Sequence, residues 1–231
     1  MARGIGLILV VLVAACAQQR QVKLLFIGDS VTRDGGYVVA LDHMLQEVAP
    51  KRFEVIPAGR NSETITGLTE EGHPGPRPYL FDRLDSLLEQ HQPDIAFFYF
   101  GINCGIYQPY SQDTQERYRR GLERIVSACQ SRAIHPVLIT PPPLVRRIDS
   151  IEEQQPYSWK NPYPGYDQEV LEGFRQSVKA MTSKEVTVLD GTTALKTHTE
   201  QAYAKDPIHP TALGHELLAK SLFEQLTFLP L

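Results

Sequence analysis

The chain has 231 residues, with 23 Lys and Arg against 27 Asp and Glu, a formal charge of −4. So mild an acidity gives no reason to expect nucleic acid as a partner. The length is ample for one compact core, and no internal repeat, metal-ligand cluster, dinucleotide fingerprint or phosphate loop is found in it.

In chain order, Arg3 precedes the apolar stretch Ile5–Leu12 and the run Val13-Ala14-Ala15-Cys16. The segment is too short, and ends too abruptly, to make a good membrane span. It resembles a bacterial lipoprotein signal peptide with its lipobox. That resemblance implies a leader over residues 1–15, lipidation of Cys16, a tether over 16–21 and a folded domain over 22–231. No aspartate follows Cys16, which by the same resemblance favours anchoring at the outer membrane, facing the periplasm. An ordinary secretory signal with a fortuitous cysteine is the alternative.

Lys23–Ile27 then reads as a strand that Gly28 and Asp29 break, leaving Ser30 where the strand gives way to a loop. Apolar residues recur at helical intervals over Tyr37–Val48. A second strand is predicted at Phe53–Ile56, followed by Gly59 and Ser62-Glu63-Thr64. The irregular stretch Gly67–Pro78 carries Glu70, Glu71, His73 and Arg77, and Tyr79–His91 is helical again. A third strand, Ile95–Phe100, ends in Gly101-Ile102-Asn103-Cys104, with Tyr107 and Tyr110 just beyond.

The helical pattern Arg117–Ala128 mixes Arg117, Arg119, Arg120 and Arg124 with Glu116 and Glu123, which reads as a solvated face. A fourth strand, Pro136–Ile139, leads into Pro141-Pro142-Pro143 and an irregular stretch to Gly165. That stretch carries Arg146, Arg147, Tyr157, Trp159 and Tyr163, with Tyr166 next. The pattern Asp167–Ala180, a fifth strand Val186–Leu189 and a last helix Ala212–Leu226 complete the chain. This alternation predicts a three-layer α/β/α sandwich around a five-stranded parallel sheet. Loops at the carboxyl ends of such strands place binding residues over a rigid sheet. The stretches Gly67–Pro78 and Pro141–Gly165 therefore read as walls of a site. Their aromatics, with Tyr107, Tyr110 and Tyr166, suit stacking on a sugar ring or an acyl chain, the alternative being solvated insertions.

Three polar elements, carrying four side chains, fall at those edges. Asp206-Pro207-Ile208-His209 puts a carboxylate one turn before a histidine, an arrangement that orients an imidazole as a base. Ser30 supplies a hydroxyl nucleophile, and Asn103 a side-chain N–H able to hold the oxyanion that forms on attack at an ester carbonyl. Each group taken alone is equally an ordinary turn or cap residue. His73 and His198, in loops, are weaker candidates to line substrate, while His43, His91, His135 and His215 suit surface or packing positions.

Gly28-Asp29-Ser30, Gly101-Ile102-Asn103 and Asp206-Pro207-Ile208-His209 resemble, in order, three blocks of the SGNH or GDSL hydrolases. The resemblance implies a flavodoxin-like fold with Ser30 as nucleophile, His209 as general base, Asp206 as its orienting partner and Asn103 as an oxyanion donor. It implies no metal and no organic cofactor. Two departures stand out. The second block has Ser62 where the family has its oxyanion glycine, so the backbone donor is Ser62 or, alternatively, Gly59. Cys104 replaces a common aspartate; as a rival nucleophile it is displaced by Ser30, and a bridge to Cys129 is improbable.

The expected activity is hydrolysis of carboxylic esters through an acyl-enzyme, with short acetyl esters of carbohydrate as the narrower expectation. The partners are then a small-molecule or glycan ester and, through the N-terminal lipid, a membrane of the bacterial cell envelope. A lipase, thioesterase or lysophospholipase at the membrane is one alternative. The other is a lipid-anchored glycan-binding or envelope-assembly protein without turnover.

Overall fold

A computed structural model describes residues 20–145, 156–204 and 206–229. Residues 1–15, Cys16, Arg146 and Arg147 lie outside the described residues. Five strands, β1 (Val22–Gly28), β2 (Phe53–Gly59), β3 (Ile95–Tyr99), β4 (His135–Ile139) and β5 (Thr187–Leu189), form one parallel sheet in the order β2-β1-β3-β4-β5. The helices are α1 (Ser30–Asp34), α2 (Gly36–Val48), α3 (Leu84–His91), α4 (Gln112–Gln130), α5 (Glu172–Ala180), α6 (Thr193–Thr197), α7 (Thr199–Ala202) and α8 (Ala212–Gln225).

A parallel sheet buries both faces, which is why β3 is apolar along its whole length. Alternate residues of one strand serve opposite cores. Leu25, Ile27 and Phe98 pack with α3, α4 and α5, while Leu24, Phe26 and Phe97 pack with α2 and α8. Phe26 stacks on Phe97 at 4.3 Å between ring centroids, and truncating a ring there costs about 3–5 kcal/mol. The strand order reverses between β1 and β3, so the loops after these strands diverge and leave a crevice at their carboxyl ends.

The α4 charges do form exposed pairs, Arg117 with Asp113 and Arg119 with Glu116 and Glu123. Two helical patterns differ from expectation. Tyr79–His91 divides into a 3₁₀ turn, Leu80–Asp82, and α3, with the break at Arg83, whose guanidinium reaches back to Glu63 and the Ala58 carbonyl. Asp167–Ala180 opens as a π-helix, Tyr166–Leu171, around Asp167, whose carbonyl and carboxylate both accept from Arg175.

Candidate active site

β1 ends at Gly28, which stands in register with Gly59 of β2 on one side and Tyr99 of β3 on the other. Ser30 therefore emerges between the β2 and β3 loops. It is not in a loop, as the sequence suggested, but is the first residue of α1, a helix too short to leave a periodic pattern. Asp29 caps that helix by accepting from the Val31 N–H at 3.0 Å. Its carboxyl is 1% exposed, and burial pushes its pKa up to about 7 despite that bond. Sequence reasoning treated Asp29 only as a strand breaker; its chemistry comes from its depth, which a tripeptide does not reveal.

The Ser30 Oγ lies 2.9 Å from Nε2 of His209, across 179 residues of chain. His209 Nδ1 lies 2.7 Å from Oδ2 of Asp206. Oδ1 of the same carboxylate accepts from the backbone N–H of Ile208 at 2.9 Å and of His209 at 3.1 Å. Burial opposes ionisation of Asp206, yet these bonds hold its carboxyl below the usual range. A carboxylate only accepts, so the imidazole proton sits on Nδ1 and Nε2 presents a lone pair to the serine hydroxyl. Ile208, 3% exposed, is sunk in the core shared with α3, α4 and α5 and pins this turn from below.

Asn103 follows β3 and is 3% exposed. Gly101 ahead of it has φ +151°, and a Cβ there would stand 2.4 Å from a Pro141 ring carbon, so the turn that aims Asn103 admits only glycine. The Asn103 Oδ1 accepts from Arg77 Nη1 at 3.1 Å and from the Tyr107 hydroxyl at 2.7 Å. Its Nδ2 is buried and has no hydrogen-bond partner among the described residues. An unpaired buried donor at a cleft is unfavourable unless something arrives to accept from it.

Ser62 lies in the loop after β2 with φ 61°, a left-handed conformation that disfavours any side chain, and its carbonyl accepts from Arg77 Nη1 at 3.2 Å. The conformation is the one a glycine would adopt freely. Gly59 serves differently: a Cβ on it would lie 2.1 Å from the Arg33 backbone nitrogen, so its absence of a side chain lets β2 press against α1. Cys104 is fully buried, its thiol is pushed up to about 12 by burial, and its Sγ accepts from the Ile65 N–H at 3.5 Å. It ties the two loops together, as does the Thr66 hydroxyl donating to the Cys104 carbonyl, and both Cys104 and Cys129 are free.

A model of the GDSL-like lipase/acylhydrolase family matches residues 26–217, which includes every group just described. The chain belongs to that family. The acylhydrolase is thus a carboxylic ester hydrolase. A sequence comparison with curated proteins returns no match. In structure, the acylhydrolase is similar to a variant of an acetyl xylan esterase from Geobacillus stearothermophilus (TM-score 0.67, 21% identity, 90% of this chain and 96% of that one). It is similar too to a protein assigned to the G-D-S-L lipolytic family from Desulfitobacterium hafniense (0.62, 20%, 88% and 99%). A third likeness is to the psychrotrophic esterase EstA of a Pseudoalteromonas species (0.59, 17%, 89% and 97%).

The residues weighed as substrate contacts in the acylhydrolase differ in their surroundings. Tyr107, Tyr157 and Tyr166 are buried, and the Tyr166 hydroxyl donates to the Ile102 carbonyl and accepts from the Gly105 N–H. Tyr166 braces the β3 loop from behind and packs against the Tyr107 ring of that loop at 5.4 Å between centroids, while Tyr157 packs against Tyr163. Tyr110 and Trp159 are exposed. His73 and His198 are occupied locally, against the Gly75 and Ala194 carbonyls. The residues that sequence reasoning placed only in a loop wall, Glu70 and Arg77, instead form a buried ion pair directly behind Asn103.

Proposed function

We propose that the protein removes short acyl groups, acetyl above all, from carbohydrate esters through an acyl-enzyme on Ser30. The observation that carries the reading is the unbroken run of hydrogen bonds from Asp206 through His209 to Ser30. A serine hydroxyl is a weak nucleophile until a base takes its proton. In the reaction, Oγ bonds to the ester carbonyl carbon while its proton passes to Nε2, and the carbonyl electrons move onto oxygen. The Asn103 Nδ2–H and the Ser62 backbone N–H hold that oxyanion. Its collapse expels the alcohol, which takes the proton from His209. Water then repeats the sequence on the acyl-serine, releasing the acid and restoring Ser30.

The acetyl-carbohydrate preference is supported by the polar residues Arg33, Asp34, Arg60 and Asn61, all exposed and within four residues of Ser30 or two of Ser62. Exposed polar groups this near the site offer partners for sugar hydroxyls and little for methylenes. The likeness to an acetyl xylan esterase agrees with it. We infer also that Cys16 carries a lipid anchoring the enzyme in the cell envelope, a reading that rests on the lipobox-like run before it. Intact mass of the mature protein checks it: a chain retaining residues 1–15, or lacking acyl mass on Cys16, refutes the anchor.

Turnover of p-nitrophenyl esters from acetyl to decanoyl, then of acetylated xylo-oligosaccharides against phospholipids, tests the substrate class. Highest kcat/KM on acetyl and on the glycan is expected. A lipase would instead gain with each methylene, about 0.8 kcal/mol when fully buried, and a steady rise with chain length overturns the proposal. Ser30→Ala should abolish turnover of every substrate; a folded Ser30→Ala with parental rates ends the acyl-enzyme reading.

A further inference from the structure

Arg77 has no part in the steps above, yet its side chain is 2% exposed and four of its five N–H groups are accounted for. Nε and Nη2 donate to the two oxygens of Glu70, itself 2% exposed, as a paired fork. Nη1 donates on its far side to the Ser62 carbonyl and to the Asn103 Oδ1. One buried guanidinium therefore touches the loops on both sides of Ser30. We propose that Arg77 is a positioning residue that aims both oxyanion donors, setting the amide orientation of Asn103 and the peptide conformation at Ser62. The inference rests on the reading of those two groups as the donors.

The argument for Asn103 is one of donor and acceptor identity. A guanidinium has no acceptor, so the amide atom facing Arg77 is forced to be oxygen, and the N–H₂ is turned the other way. Tyr107 does not impose this alone, because a hydroxyl accepts as readily as it donates. With the amide reversed, N–H would face N–H, and an oxygen would confront the developing oxyanion. The charged donor also polarises the amide, which strengthens the bond its Nδ2–H gives. For Ser62, the bond to its carbonyl fixes the peptide that follows its Cα and so holds the residue, and with it the N–H on the other side of that Cα, in the left-handed region, where a non-glycine residue persists only if its surroundings fix it. Glu70 supplies the rigidity: paired to both remaining edges of the fork, it keeps the guanidinium from rotating. Burial alone would raise the Glu70 carboxyl, but the bonds from Arg77 hold it below its ordinary range, so the pair stays ionised.

The test is steady-state kinetics on p-nitrophenyl acetate with Arg77→Lys, in the parent and in an Asn103→Ala background, with Ser30→Ala assayed alongside. Lysine keeps the charge but cannot present a planar fork to Glu70 and two further bonds opposite it. In the parent, kcat should fall about 10- to 100-fold, as for a donor displaced by a fraction of an ångström, with KM changed less than about threefold. In the Asn103→Ala background the same substitution should cost at least about threefold less than in the parent, since one of the two groups it acts through is gone and only the Ser62 peptide remains. A folded Arg77→Lys with parental kcat, or an equal loss in both backgrounds, overturns the proposal. Should Arg77→Lys not fold, Glu70→Gln, which keeps Arg77 and frees its fork, is judged by the same two criteria. An active Ser30→Ala would overturn the acyl-enzyme itself; an inert Ser30→Ala beside a fully active Arg77→Lys removes only the positioning role.

Discussion

Asp206 and His209 are joined within a single turn and stay partly open to water, with side chains 39% and 31% exposed, whereas Asn103 and Arg77 are 3% and 6% exposed and are tied across separate loops. The first pair gains little stability from its hydrogen bond, because water competes for groups this exposed, and serves by orientation. The second is a buried polar network whose members cannot be removed singly without leaving another unpaired. Rate and stability are thus divided unevenly over the site. On the proposed mechanism, the base side can be altered at a cost in rate alone, and the oxyanion side at a cost in both.

Variants can break that division. His209→Ala should lower kcat by about 10⁴–10⁶-fold and Asp206→Asn by about 10²–10⁴-fold, the latter through the wrong imidazole tautomer, with the thermal midpoint of each nearly unchanged. A large loss of stability in either would erase the contrast. Asn103→Ala should lower kcat by about 10²–10³-fold and also destabilise the fold by about 1–3 kcal/mol, since the Tyr107 hydroxyl and one Arg77 N–H then lose their acceptor. Kinetics paired with urea denaturation measure both quantities.

Two smaller effects sharpen it. Ser62→Gly should leave kcat within a few-fold and raise stability by about 1 kcal/mol, because the left-handed backbone then costs nothing; an unchanged midpoint would argue that the loop relaxes instead. Asp29 binds its proton more tightly folded than unfolded, its pKa being raised by burial from 3.8 to about 7. Its contribution to stability is fully present below the unfolded value and is lost as pH rises toward the folded one. Asp29→Asn keeps an acceptor for the Val31 N–H but cannot ionise. The variant's stability should therefore fall less than the parent's between pH about 4 and about 7, as followed by thermal midpoints across that range.

What sequence made legible follows the same line between local and distant. The five strands stood out because a sheet covered on both faces demands unbroken apolar runs such as Ile95–Tyr99. Asp206 and His209 could be paired because a single turn joins them. Ser62 was recognisable as a substituted glycine, and its φ of 61° is the conformation such a position requires. Glu70 and Arg77 were legible only as charged loop residues, since their meaning depends on Asn103, which lies on another strand's loop. Tyr107 and Tyr166 invited a place in the cleft because aromatic residues near a site are ambiguous between lining and bracing. Only the packing of the β3 loop against the π-helix resolves them.

Ile208 does no chemistry, yet it sets where the chemistry happens. Its side chain is rooted in the core beneath α3, α4 and α5, and the residue after it is His209, the proposed base. The interior thereby acts as the gauge for a 2.9 Å contact at the surface. Any change of volume in that core large enough to shift Ile208 is transmitted to the gap between Nε2 and Oγ. Slow turnover can then report a flaw in packing that no assay of the catalytic groups themselves would locate.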